Sequence, residues 1–114
     1  MATATVVKPR NVAKATKAHR YAALRLMQVQ QAATRFKQVG DPTRLQIVLL
    51  LAEGEKHAGG ICEAVDQSQA TTSYHLALLR HSGIIALRRQ GQNNFYALTE
   101  AGEQLASIVK NLVG

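Results

Sequence analysis

Aromatic side chains are scarce in this sequence: Phe and Tyr together make up 4% of it and Trp is absent. A surface that stacks single-stranded bases needs aromatic platforms, so that mode of nucleic-acid binding is disfavoured. A single cysteine, Cys62, excludes an internal disulfide framework and fits a reducing compartment. No apolar run reaches membrane-spanning length, and the start has no apolar core suited to secretion. The expectation is a cytoplasmic protein with no membrane partner. There is no carboxylate pair, no Gly-rich phosphate loop and no nucleophile elbow. Ser68 and His75 stand seven apart on one expected helix, and Cys62 with His57 has no third group to orient it. Enzymatic activity and a bound cofactor are therefore not expected.

Acidic residues are also missing where basic ones gather. Residues 1–40 hold eight Lys/Arg and no Asp/Glu, whereas the remainder holds six Lys/Arg against seven Asp/Glu. The formal net charge of +7 is thus concentrated in the first third of the chain. A polyanionic partner explains that placement best. A solvated basic tail or a transit peptide would carry the same charge.

The 114 residues suffice for one domain with a modest core. Residues 1–14, with Lys8, Pro9 and Arg10, have no periodicity and read as a basic flexible arm. The globular domain is expected over residues 15–114. Ala22, Leu26, Val29, Ala33 and Phe36 step by 4, 3, 4 and 3, which predicts a long helix over 15–39 with a heptad-like seam. Its cover is either the rest of the same domain or a second copy of the chain. Gly40 stops this helix, Asp41 caps the next and Pro42 takes the first helical position. The following helix is apolar almost all round, which marks a central, buried element.

Residues 58–65 read as a short helix with Ile61, Ala64 and Val65 inward, and Asp66-Gln67 as a tight turn. The next helix begins at the cap Ser68 and stops at Gly83. Thr72, Leu76 and Leu79 form its buried stripe, leaving Gln69, Thr71, Tyr74 and His75 outward. A merely solvated helix usually presents Lys and Glu there. Short, nearly uncharged polar groups suit the edges of base pairs, which need donors and acceptors at close range. Ser68 and Ser73 are placed to touch phosphate or fix the helix. Short helix, turn and polar-faced helix form a helix-turn-helix.

Residues 84–90 and 95–98 are strand-like around the turn residues Gly91, Gln92, Asn93 and Asn94. The hairpin reads as a wing, with Arg88 and Arg89 near its tip for phosphate contact. Gln92 and Asn93 at the turn join them as candidate DNA contacts. A last helix, capped by Thr99, carries Leu105, Ile108, Val109 and Leu112 as one apolar stripe. The fold class is mainly α with a small β-hairpin, a winged helix-turn-helix dimerising through its first and last helices. The function expected is sequence-specific binding of double-stranded DNA by a homodimer. A winged-helix module that binds protein instead of DNA is the alternative.

Four segments carry a family likeness. Val39-Gly40-Asp41-Pro42-Thr43-Arg44-Leu45 and Ser68-Gln69-Ala70-Thr71-Thr72-Ser73-Tyr74-His75-Leu76 are two of them. Leu79-Arg80-His81-Ser82-Gly83-Ile84-Ile85 and Phe95-Tyr96-Ala97-Leu98-Thr99 are the others. In this order they resemble the ArsR/SmtB family of bacterial winged-helix repressors, over about residues 20–112. The resemblance implies a homodimeric repressor on an imperfect inverted repeat, released by a signal. Many members carry Cys-x-Cys before the recognition helix; here those positions are His57 and Gly59. Others bind metal on the last helix through Asp, His and Glu, yet residues 100–112 contain neither His nor Asp. No metal site is expected, with His57 and Cys62 as the weak candidates.

Overall fold

The computed structural model describes residues 16–114. The expected basic arm, residues 1–14, lies outside the described residues. The chain divides into two compact units, residues 1–34 and 35–114. Helix α1 (Lys17–Gln38) buries none of its residues. In the first unit Tyr21, Leu24, Leu26, Met27 and Val29 are exposed, and in the second so is Phe36. The heptad-like seam thus has no buried member among the described residues.

The second unit is built around α2 (Pro42–Leu51). The Asp41 side chain accepts from the Arg44 N–H at 3.1 Å, satisfying an N–H that has no partner inside the helix. Ile47, Val48 and Leu51 are buried. Around them lie Ile61 and Val65 of α3 (Ala58–Val65), and Leu76 and Leu79 of α4 (Gln69–His81). Leu105 and Ala106 of α5 (Glu100–Val113) close the same cluster. Burying one such aliphatic side chain contributes about 1.5–3 kcal/mol, so this cluster holds the helices in register.

Each helix boundary has a chemical cause. The α3–α4 turn starts at Asp66, whose left-handed φ of 53° lets its N–H cap the carbonyls of Cys62 and Glu63. Ser68 caps α4 by accepting from the Thr71 N–H at 3.0 Å. Thr99 caps α5 by accepting from the Gly102 N–H at 3.1 Å, while its hydroxyl lies 2.6 Å from the Gly83 carbonyl. Within α3 the buried pair is Ile61 and Val65, and Ala64 is exposed. The expected inward Ala64 is thus corrected: an i, i+4 pair uses the whole width of so short a face. The α5 stripe also divides, with Leu105 and Val109 buried and Ile108, Leu112 and Val113 exposed.

The wing is part of a three-stranded antiparallel sheet of order β1-β3-β2. Strands β2 (Ile85–Gln90) and β3 (Asn93–Leu98) form the expected hairpin, with Gln90 opposite Asn93. Gly91, at φ 64°, supplies the positive φ that a two-residue hairpin turn needs at its first position. Asn93 and Asn94 are consequently paired strand residues, not turn residues as expected. The unforeseen third strand is β1 (Lys56–His57), which pairs Lys56 with Tyr96 and His57 with Phe95. Two residues are too few for any sequence periodicity.

Candidate nucleic-acid interface

The outward face of α4 carries Gln69, Thr71, Ser73 and Tyr74, all exposed, with Tyr74 61% accessible. Their exposure follows from the buried stripe of Thr72, Leu76 and Leu79 on the other side. The Ser68 hydroxyl donates to the Thr71 hydroxyl at 2.9 Å while also capping the helix, so it is committed to structure. The side chains of Gln69 and Ser73 hydrogen-bond to no other described residue.

His75 is placed differently from the expected outward-facing residue. Its side chain is only 12% accessible, and its Nδ1 lies 3.0 Å from Nη1 of Arg44. The ring packs edge-on against Tyr74, with centroids 5.5 Å apart. Arg44 also donates through Nε to the Gln38 carbonyl. A second arginine, Arg35, donates from Nε to the Ser82 carbonyl at 3.1 Å, at the end of α4. Asp41 sits beside this group, its Oδ2 3.8 Å from His75 Nδ1. The Arg44 backbone N–H, and then the Arg44 guanidinium charge, hold the Asp41 carboxyl below its ordinary value. Arg35, Asp41 and Arg44 were not among the residues expected to matter beyond capping. Their partners on α4 are 31 to 47 residues away in sequence.

On the wing the two adjacent arginines have opposite fates. Alternation along β2 turns Arg88 and Arg89 to opposite faces. Arg88 lies over the Phe95 ring, 4.8 Å from its centroid. It pairs in bidentate fashion with Glu55, through Nε at 3.0 Å and Nη2 at 2.7 Å. Its Nη1 donates to the Gln90 side chain at 3.0 Å. That hydrogen-bonded pair lowers the Glu55 carboxyl and raises the Arg88 guanidinium from their ordinary values. Arg89 is exposed and has no such partner among the described residues. Of the two arginines expected to meet phosphate, Arg88 is thus ion-paired within the domain and Arg89 is not, among the described residues. Gln92 is exposed at the turn, and the Asn93 side-chain oxygen lies 3.3 Å from His57 Nε2.

His57 has both ring nitrogens engaged. Nδ1 accepts from the Gly59 N–H at 3.0 Å, capping α3, while Nε2 faces Asn93 and the ring meets Phe95 edge-on. Cys62 is half-buried and free. Among the described residues no three His, Cys, Asp or Glu side chains converge as metal ligands do.

A family model described as bacterial regulatory protein, arsR family, matches residues 41–86, from the α2 cap into β2. An uncharacterized HTH-type transcriptional regulator of Methanocaldococcus jannaschii is 38% identical over 84 residues, covering 71% of this chain and 90% of that protein. The chain belongs to the ArsR family. The arsenical resistance operon repressor of Escherichia coli is 52% identical over 65 residues, 56% of each chain. The chain therefore spans little more than half the length of that repressor. Among solved structures, a homodimeric winged helix-turn-helix DNA-binding domain from Mycobacterium bovis superposes with a TM-score of 0.72. It is 30% identical, and the match covers 90% of both chains. In this ArsR-family chain, the positions where many members carry Cys-x-Cys hold the α3 cap His57 and the exposed Gly59. No described helix is long and apolar enough to cross a membrane.

Proposed function

We propose that this chain is a homodimeric, cytoplasmic transcriptional repressor that binds an inverted repeat in double-stranded DNA and carries out no chemistry. Helix α4 enters the major groove, where Gln69, Thr71 and Tyr74 meet base edges and Ser73 meets the backbone. Arg89 and Gln92 reach phosphates from the wing, while Arg88 anchors the wing to Glu55. The observation that carries this reading is the outward face of α4, exposed and uncharged from Gln69 to Tyr74. The family's regulatory role and the DNA-binding domain from Mycobacterium bovis support it. Two apolar faces support a second copy as partner: Leu26, Val29 and their neighbours on α1, and Ile108, Leu112 and Val113 on α5.

The test is an anisotropy titration with the duplex upstream of the protein's own gene, at two salt concentrations. Binding should weaken steeply with salt, and Arg89→Ala should flatten the log–log slope by about 0.9, one phosphate's share. Salt-independent binding, or none alongside tight association with an acidic protein, would replace this reading with a protein-interaction module.

A further inference from the structure

We infer that Arg44 is a positioning residue that fixes the tautomer of His75, so that the recognition helix presents its Nε2–H as a hydrogen-bond donor to DNA. The inference rests on the reading of α4 as the groove-binding helix. It begins from the chemistry of arginine, whose guanidinium has five donors and no acceptor. Arg44 Nη1 lies 3.0 Å from His75 Nδ1, so the bond between them requires an unprotonated Nδ1. In a neutral imidazole the proton must then sit on Nε2.

Asp41 is the group that could reverse this, by accepting a proton held on Nδ1. Its Oδ2 is 3.8 Å from Nδ1, beyond hydrogen-bond reach, and already accepts from the Arg44 backbone N–H. Arg44 is itself held in place, its Nε donating to the Gln38 carbonyl at the end of α1. The guanidinium therefore bridges the α1–α2 corner to the middle of α4.

The other ring nitrogen, His75 Nε2, bonds to no described residue. The one buried side-chain nitrogen or oxygen left without a partner, among the described residues, is the Thr72 hydroxyl. Nε2 is not such an atom, and the His75 side chain keeps 12% of its surface accessible. A nearly enclosed ring held through Nδ1 has a fixed polarity, with Nε2–H as its remaining donor. It suits an acceptor on the duplex, either a base-edge atom such as guanine O6 or N7, or a phosphate oxygen.

Two measurements test this. The first needs no DNA. Long-range ¹H–¹⁵N spectra at mildly alkaline pH, assigned with His75→Ala, should show His75 protonated on Nε2 alone. In Arg44→Met, which keeps the aliphatic stem, the Nδ1 resonance should move and the Nδ1–H form on Asp41 should appear. Arg44→Lys, which retains a donor, should restore the parent pattern and serves if Arg44→Met melts early. A proton on Nδ1 in the parent, or an Nδ1 resonance unchanged in Arg44→Met, overturns the inference.

The second measurement uses the sequence that the parent protein selects from a random duplex pool, with its single-base variants. If the acceptor is a base edge, His75→Ala and Arg44→Met should both lose discrimination at the same base pair, on the order of tenfold. If it is a phosphate, both should weaken all variants alike. An effect of His75→Ala that Arg44→Met does not share refutes the positioning role of Arg44, and no effect from either refutes the contact of His75 with DNA. Failure of the parent to select any sequence would refute the proposed function, while the spectra would still decide the tautomer.

Discussion

Gly102, near the start of α5, is the position where one added methyl group should do most harm. A Cβ built there would lie 2.2 Å from the Ile84 carbonyl oxygen and 3.0 and 3.2 Å from two carbons of Leu98. The carbonyl cannot swing away, because it also accepts from the Thr99 N–H at 3.0 Å. Relief requires α5 to lift off the sheet, which pulls Leu105 and Ala106 from the core and strains the Thr99 cap. Overpacking of this kind costs about 1–3 kcal/mol, and contact with backbone puts Gly102→Ala at the upper end. The better helix propensity of alanine offsets about 1 kcal/mol. The net loss is about 2 kcal/mol, which for a domain of this size lowers Tm by about 10 °C. Circular dichroism melts of parent and variant measure it. Gly60→Ala is the control, since Gly60 is exposed on α3 with nothing within 4 Å of its added Cβ. It should hold or raise Tm. A Gly102→Ala protein as stable as Gly60→Ala would refute the packing assigned to α5.

Three further outcomes are expected. Thr72 is fully buried with its hydroxyl unpaired, so Thr72→Val should stabilise the domain by about 1 kcal/mol in urea unfolding; destabilisation would mean the hydroxyl has a partner. The Asp41 carboxyl is held below 3.8 by the Arg44 N–H, so its contribution is whole above that pH and is lost as pH falls below it. The stability gap between parent and Asp41→Asn should therefore narrow on acidification below 3.8, and a gap constant with pH would contradict the assignment. Glu55→Gln leaves the Arg88 charge uncompensated, so it should tighten DNA binding and steepen its salt dependence by up to about 0.9 in slope. An unchanged slope would mean that Arg88 does not face the backbone even when freed.

Much of the fold was legible because it is written in local pattern. Asp41, Ser68 and Thr99 cap where their side chains suggest, and the stripe of Thr72, Leu76 and Leu79 is the buried one. Strand β1 was not legible, since two residues acquire an identity only from β3, nearly forty positions later. The α5 stripe showed which residues are apolar but not that Leu105 and Val109 turn inward while Ile108 and Leu112 stay out. Periodicity fixes spacing, and only tertiary packing decides which apolar edge is covered. The site followed the same division. Exposure of Gln69, Thr71 and Tyr74 follows from the helix stripe alone. The fates of His75 and Arg88 depend on Arg44 and Glu55, partners that no local spacing announces.

The central claim is that two copies of α4 read successive major grooves of one duplex. Selection from a random duplex pool, sequenced after several rounds, tests it most directly. The account predicts an enriched inverted repeat with half-sites about one helical turn apart, and loss of preference at one position of each half-site with Gln69→Ala. Enrichment of an unsymmetrical single site, or of no sequence at all, would contradict it.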